Sequence, residues 1–285
     1  MKKKYLLFLL VLTYSASSFS QSGWTREKKN FFLKADHQFY NSVDYHNNAG
    51  TVIKTSRFSQ KTFSLYGEYG ISKKFSINAN IPVFRLNGYE TTETVGGFGD
   101  ILIELKYSVK KGKFPIALSI APSFPTGTKT LFAKSKLNSF DKIDLPTGDG
   151  EFNVWTTAAI SHSFYPKPMY ASAYTSFNLR TKYKDRNFKN QLQAGVEFGY
   201  KFANKLWLSG KLFVFTGLGS QPVVADFIRG DGTSYTGVTI SGLYELGKHF
   251  GVNMQYFRCN SLIVKARNNY AAGTFSFGIT YTKKR

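Results

Sequence analysis

Serine and histidine alternate at Ser161-His162-Ser163, a combination that could serve a lipid-modifying enzyme. Such an enzyme needs its histidine base within hydrogen-bonding reach of a nucleophilic hydroxyl. Neighbouring side chains of an extended strand point to opposite faces, so His162 cannot meet either serine there. The other histidines, at positions 37, 46 and 249, have no metal-ligand spacing. We therefore predict that the protein is not an enzyme and has no catalytic residue. A lipid-modifying enzyme is the less favoured alternative.

Acidic residues gather in one polar stretch, at Asp141, Asp144, Asp149 and Glu151. Carboxylates are the ligands that Ca²⁺ prefers, but this stretch lacks the spacing of a calcium loop and Lys142 interrupts it. We predict a solvated loop, and neither a metal nor a cofactor. The chain has one cysteine, so no intrachain disulfide can form.

Apolar and polar residues alternate with a period of two from Lys29 onward, which indicates β-strands. The clearest runs are Phe63–Ile71, Phe75–Val83, Ile101–Val109, Leu192–Phe202 and Phe275–Tyr281. Most reach the roughly 9 residues that a tilted strand needs to cross a membrane. Strands of soluble sandwiches are usually shorter, at about 5–6 residues.

The connections between these runs fall into two length classes. Short turns are predicted at 72–74, 110–113, 165–168, 203–205 and 247–249. Long polar loops are predicted at 41–57, 86–98, 127–148, 181–190, 217–233 and 259–269. Bacterial outer-membrane barrels have short periplasmic turns and long external loops. The predicted fold is therefore all-β, an antiparallel transmembrane up-and-down β-barrel of about 12 strands with both termini in the periplasm.

The first 20 residues have the three parts of a secretory signal peptide. Three lysines at positions 2–4 precede the apolar run Tyr5–Leu12, and Ser18 and Ser20 suit a cut before Gln21. We predict a signal peptide over 1–20 and a barrel domain over 21–285, located in the outer membrane of a Gram-negative host. The formal net charge of +21 favours outer-membrane lipid and lipopolysaccharide phosphates as partners. Export argues against nucleic acid.

Two short motifs recur near the predicted long-loop ends of the strands. Gly99-Asp100 opens the strand that ends in Leu105-Lys106-Tyr107, and Pro-Thr-Gly occurs at 125–127 and 146–148. This pattern resembles the family of barrels named for the MetA pathway of phenol degradation. The strand pattern of this family matches about residues 60–282, whereas the motifs cover only the central third of the chain. The resemblance implies an outer-membrane channel or transporter, since some members are encoded beside genes for the breakdown of aromatic compounds. It implies no catalytic residue.

A barrel of about 12 strands is wide enough for a narrow channel or one ligand. The residues predicted to line its lumen are Tyr66, Glu68, Asn78, Asn80, Glu104, Lys106, Trp155, Tyr174, Glu197, Trp207 and Lys211. These side chains could form a path for a small, partly apolar solute. Alternatively, the charged members pair with each other only to compensate buried charge.

Basic residues surround the fourth long loop and are predicted to form an outer rim facing lipopolysaccharide phosphates. They are Arg180, Lys182, Lys184, Arg186 and Lys189. The segment 21–28 before the first strand is predicted to be too short to plug the lumen, so any block must come from a long loop, of which 127–148 is the longest. The predicted function is a channel for small compounds, including hydrophobic or aromatic ones. The alternative is a structural or surface-interaction barrel with a closed lumen.

Overall fold

The computed structural model describes residues 21–138, 140–184, 186–220 and 229–283. The predicted signal peptide lies outside these described residues. No helix in the described part of the chain is long and apolar enough to cross a membrane.

Twelve long strands account for most of the described residues. They are β1 (Phe31–His46), β2 (Val52–Gly70), β3 (Phe75–Tyr89), β4 (Ile101–Lys110), β5 (Ile116–Phe124), β6 (Asn153–Ser163), β7 (Met169–Arg180), β8 (Gln191–Phe202), β9 (Leu206–Gly217), β10 (Ser234–Glu245), β11 (Phe250–Asn260) and β12 (Gly273–Lys283). Each pairs antiparallel with the next, and β12 pairs with β1 from Phe31↔Lys283 to Tyr40↔Thr274. The sheet therefore closes on itself, which confirms the predicted up-and-down barrel.

Short strands decorate the end of the barrel that carries the long loops. Val95–Gly97 extends the edge of β3, and Asn269–Tyr270 pairs with the end of β1. Phe132–Lys134 pairs with Lys142–Asp144 inside one long loop, and a two-residue pair forms inside the next. These pieces give the loops a defined conformation over the mouth of the barrel.

The alternation in the sequence separates the two faces of the wall. On β2, Phe63, Leu65 and Tyr69 are 39–44% exposed, whereas Ser64 and Tyr66 between them are buried. Exposed apolar side chains recur in the same way around the barrel. A soluble protein rarely leaves so continuous an apolar surface in water, but a lipid bilayer covers it at no cost.

The first long loop is shorter than predicted, because most of 41–57 is strand. β1 extends to His46 and β2 starts at Val52, so only residues 47–51 connect them. The prediction was wrong because the residues of this outer half are mostly polar and show no clear alternation. Lys54 Nζ lies 2.6 Å from Asp44 Oδ1 across the hairpin, an ion pair that suits strands projecting beyond the membrane into water.

Pro82 lies within β3, where a proline cannot donate to the ladder. The register with β2 shifts here, since Phe63 pairs with Phe84 but Ser64 pairs with Pro82. The extra residue makes a β-bulge, and the carbonyl oxygen of Pro82 accepts the Gly99 N–H at 2.9 Å. The proline therefore marks a bulge in the middle of β3.

Candidate functional site: the barrel lumen

The lumen contains two cavities arranged along the barrel. An outer chamber of about 350 Å³ lies towards the long loops, and an inner vestibule of about 820 Å³ opens between the short turns. Lys34 and Tyr66 line both cavities. These two side chains therefore lie at the boundary between the two cavities.

The segment before β1 enters the lumen from the short-turn end. Gln21 is only 7% exposed, its Nε2 donates to Gln193 Oε1 at 3.3 Å, and Lys211 donates to its Oε1. The Gly23 N–H donates to Ser161 Oγ at 2.7 Å. Sequence analysis predicted only that this segment is too short to plug the lumen. The structure places the segment inside the lumen, next to the vestibule that it helps to line.

Gly23 is held against the wall too closely for any side chain. A Cβ at this position would overlap the carbonyl oxygen of Pro115 and lie 2.8 Å from the Ser161 nitrogen. Further along the segment, Trp24 packs edge-on against Tyr170, with ring centroids 5.8 Å apart. Packing and hydrogen bonds together fix the segment on the inner surface of the barrel.

Charged side chains near the boundary between the two cavities are compensated by close partners. Arg26 forms an ion pair with Glu68, which also accepts the Tyr66 hydroxyl at 2.8 Å. Glu104 accepts Asn78 Nδ2 at 2.6 Å. Such pairing lowers the cost of burying charge.

A second charged group lies on the β7–β8–β9 side of the lumen. Glu197 accepts the Tyr170 hydroxyl at 2.5 Å and lies opposite Lys211 in the strand register. Lys211 Nζ lies 4.7 Å from the centre of the Tyr174 ring. The ammonium group is therefore stabilised by an aromatic face as well as by the N-terminal segment.

The predicted lumen residues divide into two groups by burial. The buried ones are Tyr66, Asn78, Glu104, Lys106 and Tyr174. The half-buried ones are Glu68, Asn80, Trp155, Glu197, Trp207 and Lys211. Asn80 and Trp155 line the outer chamber, whereas Glu68, Glu197 and Trp207 line the vestibule. A role in passage stays a prediction for all of them.

Aromatic rings cover part of the wall of the outer chamber, and sequence reasoning missed most of them. Phe215 stacks on Tyr235 with ring centroids 5.2 Å apart and lies 6.4 Å from Trp155. Phe257 and Tyr270 also line this chamber. Their strands carry apolar residues on both faces, so alternation gave no sign of which aromatic side chains face inward.

The Gly-Asp and Pro-Thr-Gly motifs meet at the neck of the longest loop. Asp100 Oδ1 accepts the Gly127 N–H at 2.9 Å, and its Oδ2 accepts the Asp149 N–H at 2.6 Å. A Cβ at Gly148 would overlap Asp100 Oδ1, and one at Gly127 would lie 2.7 Å from the Gly148 Cα. The motifs therefore close the loop with one carboxylate, and both glycines are needed for the close approach.

The longest loop then folds over the chamber. Leu145 is fully buried and packs in a cluster with Tyr40, Phe58 and Tyr270. Asn87 Nδ2 donates to the Pro146 carbonyl oxygen at 2.8 Å. The loop named by sequence analysis as the candidate block thus covers part of the long-loop end.

Arg180 lies inside the barrel mouth, not on the exposed outer rim where it was predicted. Its side chain is 2% exposed, forms an ion pair with Glu151, and donates from Nη2 to the Arg229 carbonyl oxygen at 2.7 Å. As an even-numbered residue of β7, in phase with Tyr174, Arg180 points inward. Lys182, Lys184 and Arg186 are exposed on the rim, and Lys189 is half-buried.

Two acids of the longest loop have shifted pKa values. Burial raises the pKa of Asp149 to about 6, helped by the nearby Asp100 and opposed by the arginines around it. Burial also raises the pKa of Glu151 to about 7, against the lowering effect of Arg180. Both carboxyl groups thus change charge near neutral pH.

The residues considered for chemistry do not assemble into a reactive centre. His162 faces outward, where its ring stacks on Phe114 at 4.7 Å, whereas Ser161 is buried inside and contacts Ser172 Oγ at 2.7 Å. Within the described residues, no group of three or more His, Cys, Asp or Glu is arranged to hold a metal ion. The lumen therefore remains the candidate site.

Comparison with solved structures places this barrel among outer-membrane channels and porins in fold. An outer membrane channel from Pseudomonas putida F1 superimposes with a TM-score of 0.65 at 13% identity, covering 94% of this chain and 99% of that one. The NanC porin gives a TM-score of 0.53 at 9% identity, covering 87% and 98%. The translocator domain of autotransporter NalP from Neisseria meningitidis gives 0.55 at 8% identity, covering 91% and 90%.

These likenesses establish the fold and not the activity. No family model matches the chain. No curated protein matches it by sequence either. Membership of the phenol-degradation family that the motifs resemble thus stays a prediction.

Proposed function

We propose that the protein is an outer-membrane channel for small solutes. The observation that carries the proposal is the pair of cavities within one closed wall, which adjoin at Lys34 and Tyr66. The long loops would face the outside, and the short turns the periplasm, as in other barrels of this type. Selectivity would come from the width and lining of the lumen.

The lining supports solutes that combine an apolar ring with polar groups. Trp155, Phe215 and Tyr235 offer faces for stacking, and Gln38, Gln60 and other amides line the same chamber. An entirely apolar solute would gain nothing from these amides. The aromatic compounds expected from the sequence fit best when they also carry hydrogen-bonding groups.

A closed surface barrel is the second candidate, because the lumen is narrowed from both ends. Leu145 seals part of the outer mouth, and the N-terminal segment occupies the inner one. In this case the exposed Lys182, Lys184 and Arg186 would bind lipopolysaccharide phosphates as the main function. A channel could bind lipopolysaccharide phosphates through the same residues, so this contact alone does not separate the two candidates.

Liposome swelling separates the two candidates. Purified protein would be reconstituted into liposomes and exposed to uncharged solutes of increasing size, from glycerol to a disaccharide. A channel predicts rapid swelling with the smallest solute and a decline with size. Swelling no faster than in protein-free liposomes, with every solute, would favour the closed barrel.

A further inference from the structure

Exposed lysines surround the short-turn end of the barrel. The turns that join the strands at this end are residues 71–74, 111–115, 164–168, 203–205 and 246–249. Each turn contains at least one exposed lysine. One from each turn, in chain order, gives Lys74, Lys113, Lys167, Lys205 and Lys248. Because the short turns of an up-and-down barrel all lie at one end, these five residues form a short-turn lysine ring around the inner mouth.

Carboxylates do not balance the charge of this ring. In the part of the chain that the structure describes, none of the five lysines forms an ion pair with a carboxylate. Two acids lie at the same end and have other partners. Glu245 pairs with Lys201 Nζ at 2.8 Å, and Glu27 accepts Asn30 Nδ2 at 3.0 Å. The ring is therefore a surface of net positive charge.

Exposed aromatic rings lie beside the lysines on the outward face of the wall. Each of these rings is one to three residues away in sequence from a lysine of the ring. They are 39–55% exposed and are Phe75, Phe114, Phe164, Phe202 and Phe250. Aromatic side chains form girdles on membrane barrels where the hydrocarbon core meets the lipid head groups. These phenylalanines therefore mark the membrane interface on the short-turn side.

The lysines consequently lie at the depth of the lipid phosphates. A strand rises about 3.3 Å per residue, so a lysine up to three residues beyond the interface starts within about 10 Å of it. Lys74 Nζ lies 5.8 Å from the centre of the Tyr107 ring, and Lys113 Nζ lies 5.9 Å from that of Phe114. Lysines next to a membrane attract anionic head groups, and this attraction falls off within a Debye length. The position of the ring therefore favours lipid over a more distant polymer.

We propose that the short-turn lysine ring binds anionic phospholipids of the adjacent leaflet through their phosphates. With the long loops outside, this is the periplasmic leaflet. A zwitterionic phospholipid carries its own ammonium group beside the phosphate, so the ring gains less from it. This surface lies at the opposite end of the barrel from the basic rim of the fourth long loop, and its binding of lipid does not depend on solute passage through the lumen.

Electron paramagnetic resonance of spin-labelled lipids tests the proposal on the full chain. The barrel is reconstituted into phosphatidylcholine vesicles with a trace of spin-labelled phosphatidylglycerol or, in a parallel sample, spin-labelled phosphatidylcholine. Lipid in contact with the protein gives a motionally restricted component. In about 0.01 M salt, we expect phosphatidylglycerol to be enriched at least about threefold over phosphatidylcholine in this component. In about 1 M salt the screening length shrinks to about 3 Å, and the enrichment should nearly disappear.

Two variants of equal net charge locate the binding surface. The first combines Lys74→Gln, Lys113→Gln, Lys167→Gln, Lys205→Gln and Lys248→Gln. It should lose at least about half of the enrichment, since one ammonium group is removed from every short turn. The matched control replaces by glutamine five exposed lysines at the long-loop end, which are Lys129, Lys134, Lys136, Lys142 and Lys182. The control should keep the enrichment.

Three results would overturn the proposal. Equal association of the two spin-labelled lipids in low salt would show that the ring does not select anionic head groups. An equal loss of enrichment in the two variants would show that net charge, and not the ring, attracts the lipid. An enrichment that salt leaves unchanged in the unmodified protein would exclude contacts between exposed lysines and phosphates, whether or not the variants fold.

Discussion

Asp100 joins two chain segments that lie far apart in sequence. Its carboxylate accepts the N–H groups of Gly127 and Asp149 and so closes the neck of the longest loop. The sequence marked these residues as motifs but could not show that they meet. That information lies in the pairing of β4, β5 and β6, which brings the two Pro-Thr-Gly segments to one carboxylate.

Replacing Asp100 by alanine should release the neck of this loop. Hydrogen bonds to a charged acceptor contribute about 1.5–3 kcal/mol, and two would be lost. We expect faster cleavage of the loop in limited proteolysis, with the barrel itself still folded. Asp141→Ala, at an exposed site in the same loop, is the control. Equal cleavage rates in the two variants would show that Asp100 does not hold the loop.

The shifted pKa values of Glu151 and Asp149 predict that anion selectivity depends on pH. Both acids lie near Arg180, and Asp149 also faces Asp100, Arg85 and Arg229. As pH falls from 8 to 6, through the Glu151 pKa of about 7 and towards the Asp149 pKa of about 6, negative charge is lost beside the arginines. The permeability ratio of chloride to potassium should therefore rise, by a factor that corresponds to roughly 1 kcal/mol or less.

Reversal potentials in a KCl gradient across planar bilayers measure the effect over this pH range. Glu151→Gln, which mimics the protonated acid, should be more selective for chloride at pH 8 and show a flatter pH profile. Chloride selectivity that rises with increasing pH would contradict this electrostatic account.

Alternation of period two was enough to predict twelve strands, because each strand meets lipid on one face and the lumen on the other. Alternation failed to predict strands beyond the part of the wall that lies between lipid and lumen. The outer half of the β1–β2 hairpin is mostly polar, and Tyr45 on its inner face packs on Tyr270 and bonds to Asn268, so its strands looked like a loop. It also failed for the N-terminal segment, whose position depends on contacts with Ser161, Gln193 and Lys211 and not on any local pattern.

The outward face of β2 should tolerate no charge near its middle. Leu65 is 43% exposed on the apolar belt, and an arginine at the bilayer midplane costs about 2–4 kcal/mol. We expect Leu65→Arg to lower the free energy of unfolding from lipid vesicles by about that amount. Leu137→Arg, in a loop where the native side chain is 81% exposed, should have little effect. A cost for Leu65→Arg no larger than for Leu137→Arg would argue against a lipid-facing wall.

At the scale of the whole molecule, both ends of the barrel restrict the lumen by different means. The longest loop covers part of the outer chamber through Leu145, and the N-terminal segment crosses the inner side beside Lys211. Sequence reasoning defined the wall and named the longest loop as the candidate block. It missed the entry of the N-terminal segment into the lumen, because that position depends on tertiary contacts.

Single-channel conductance of Gly23→Ala tests the central claim most directly. The new Cβ would overlap the wall beside Pro115 and Ser161, so the N-terminal segment should leave the lumen. Gly247→Ala is the matched control, because a Cβ there meets no atom within 4 Å. In planar bilayers we expect a small conductance for the unmodified protein and for Gly247→Ala, and a clearly larger one for Gly23→Ala. No conductance in any of the three proteins would contradict a solute-passing lumen.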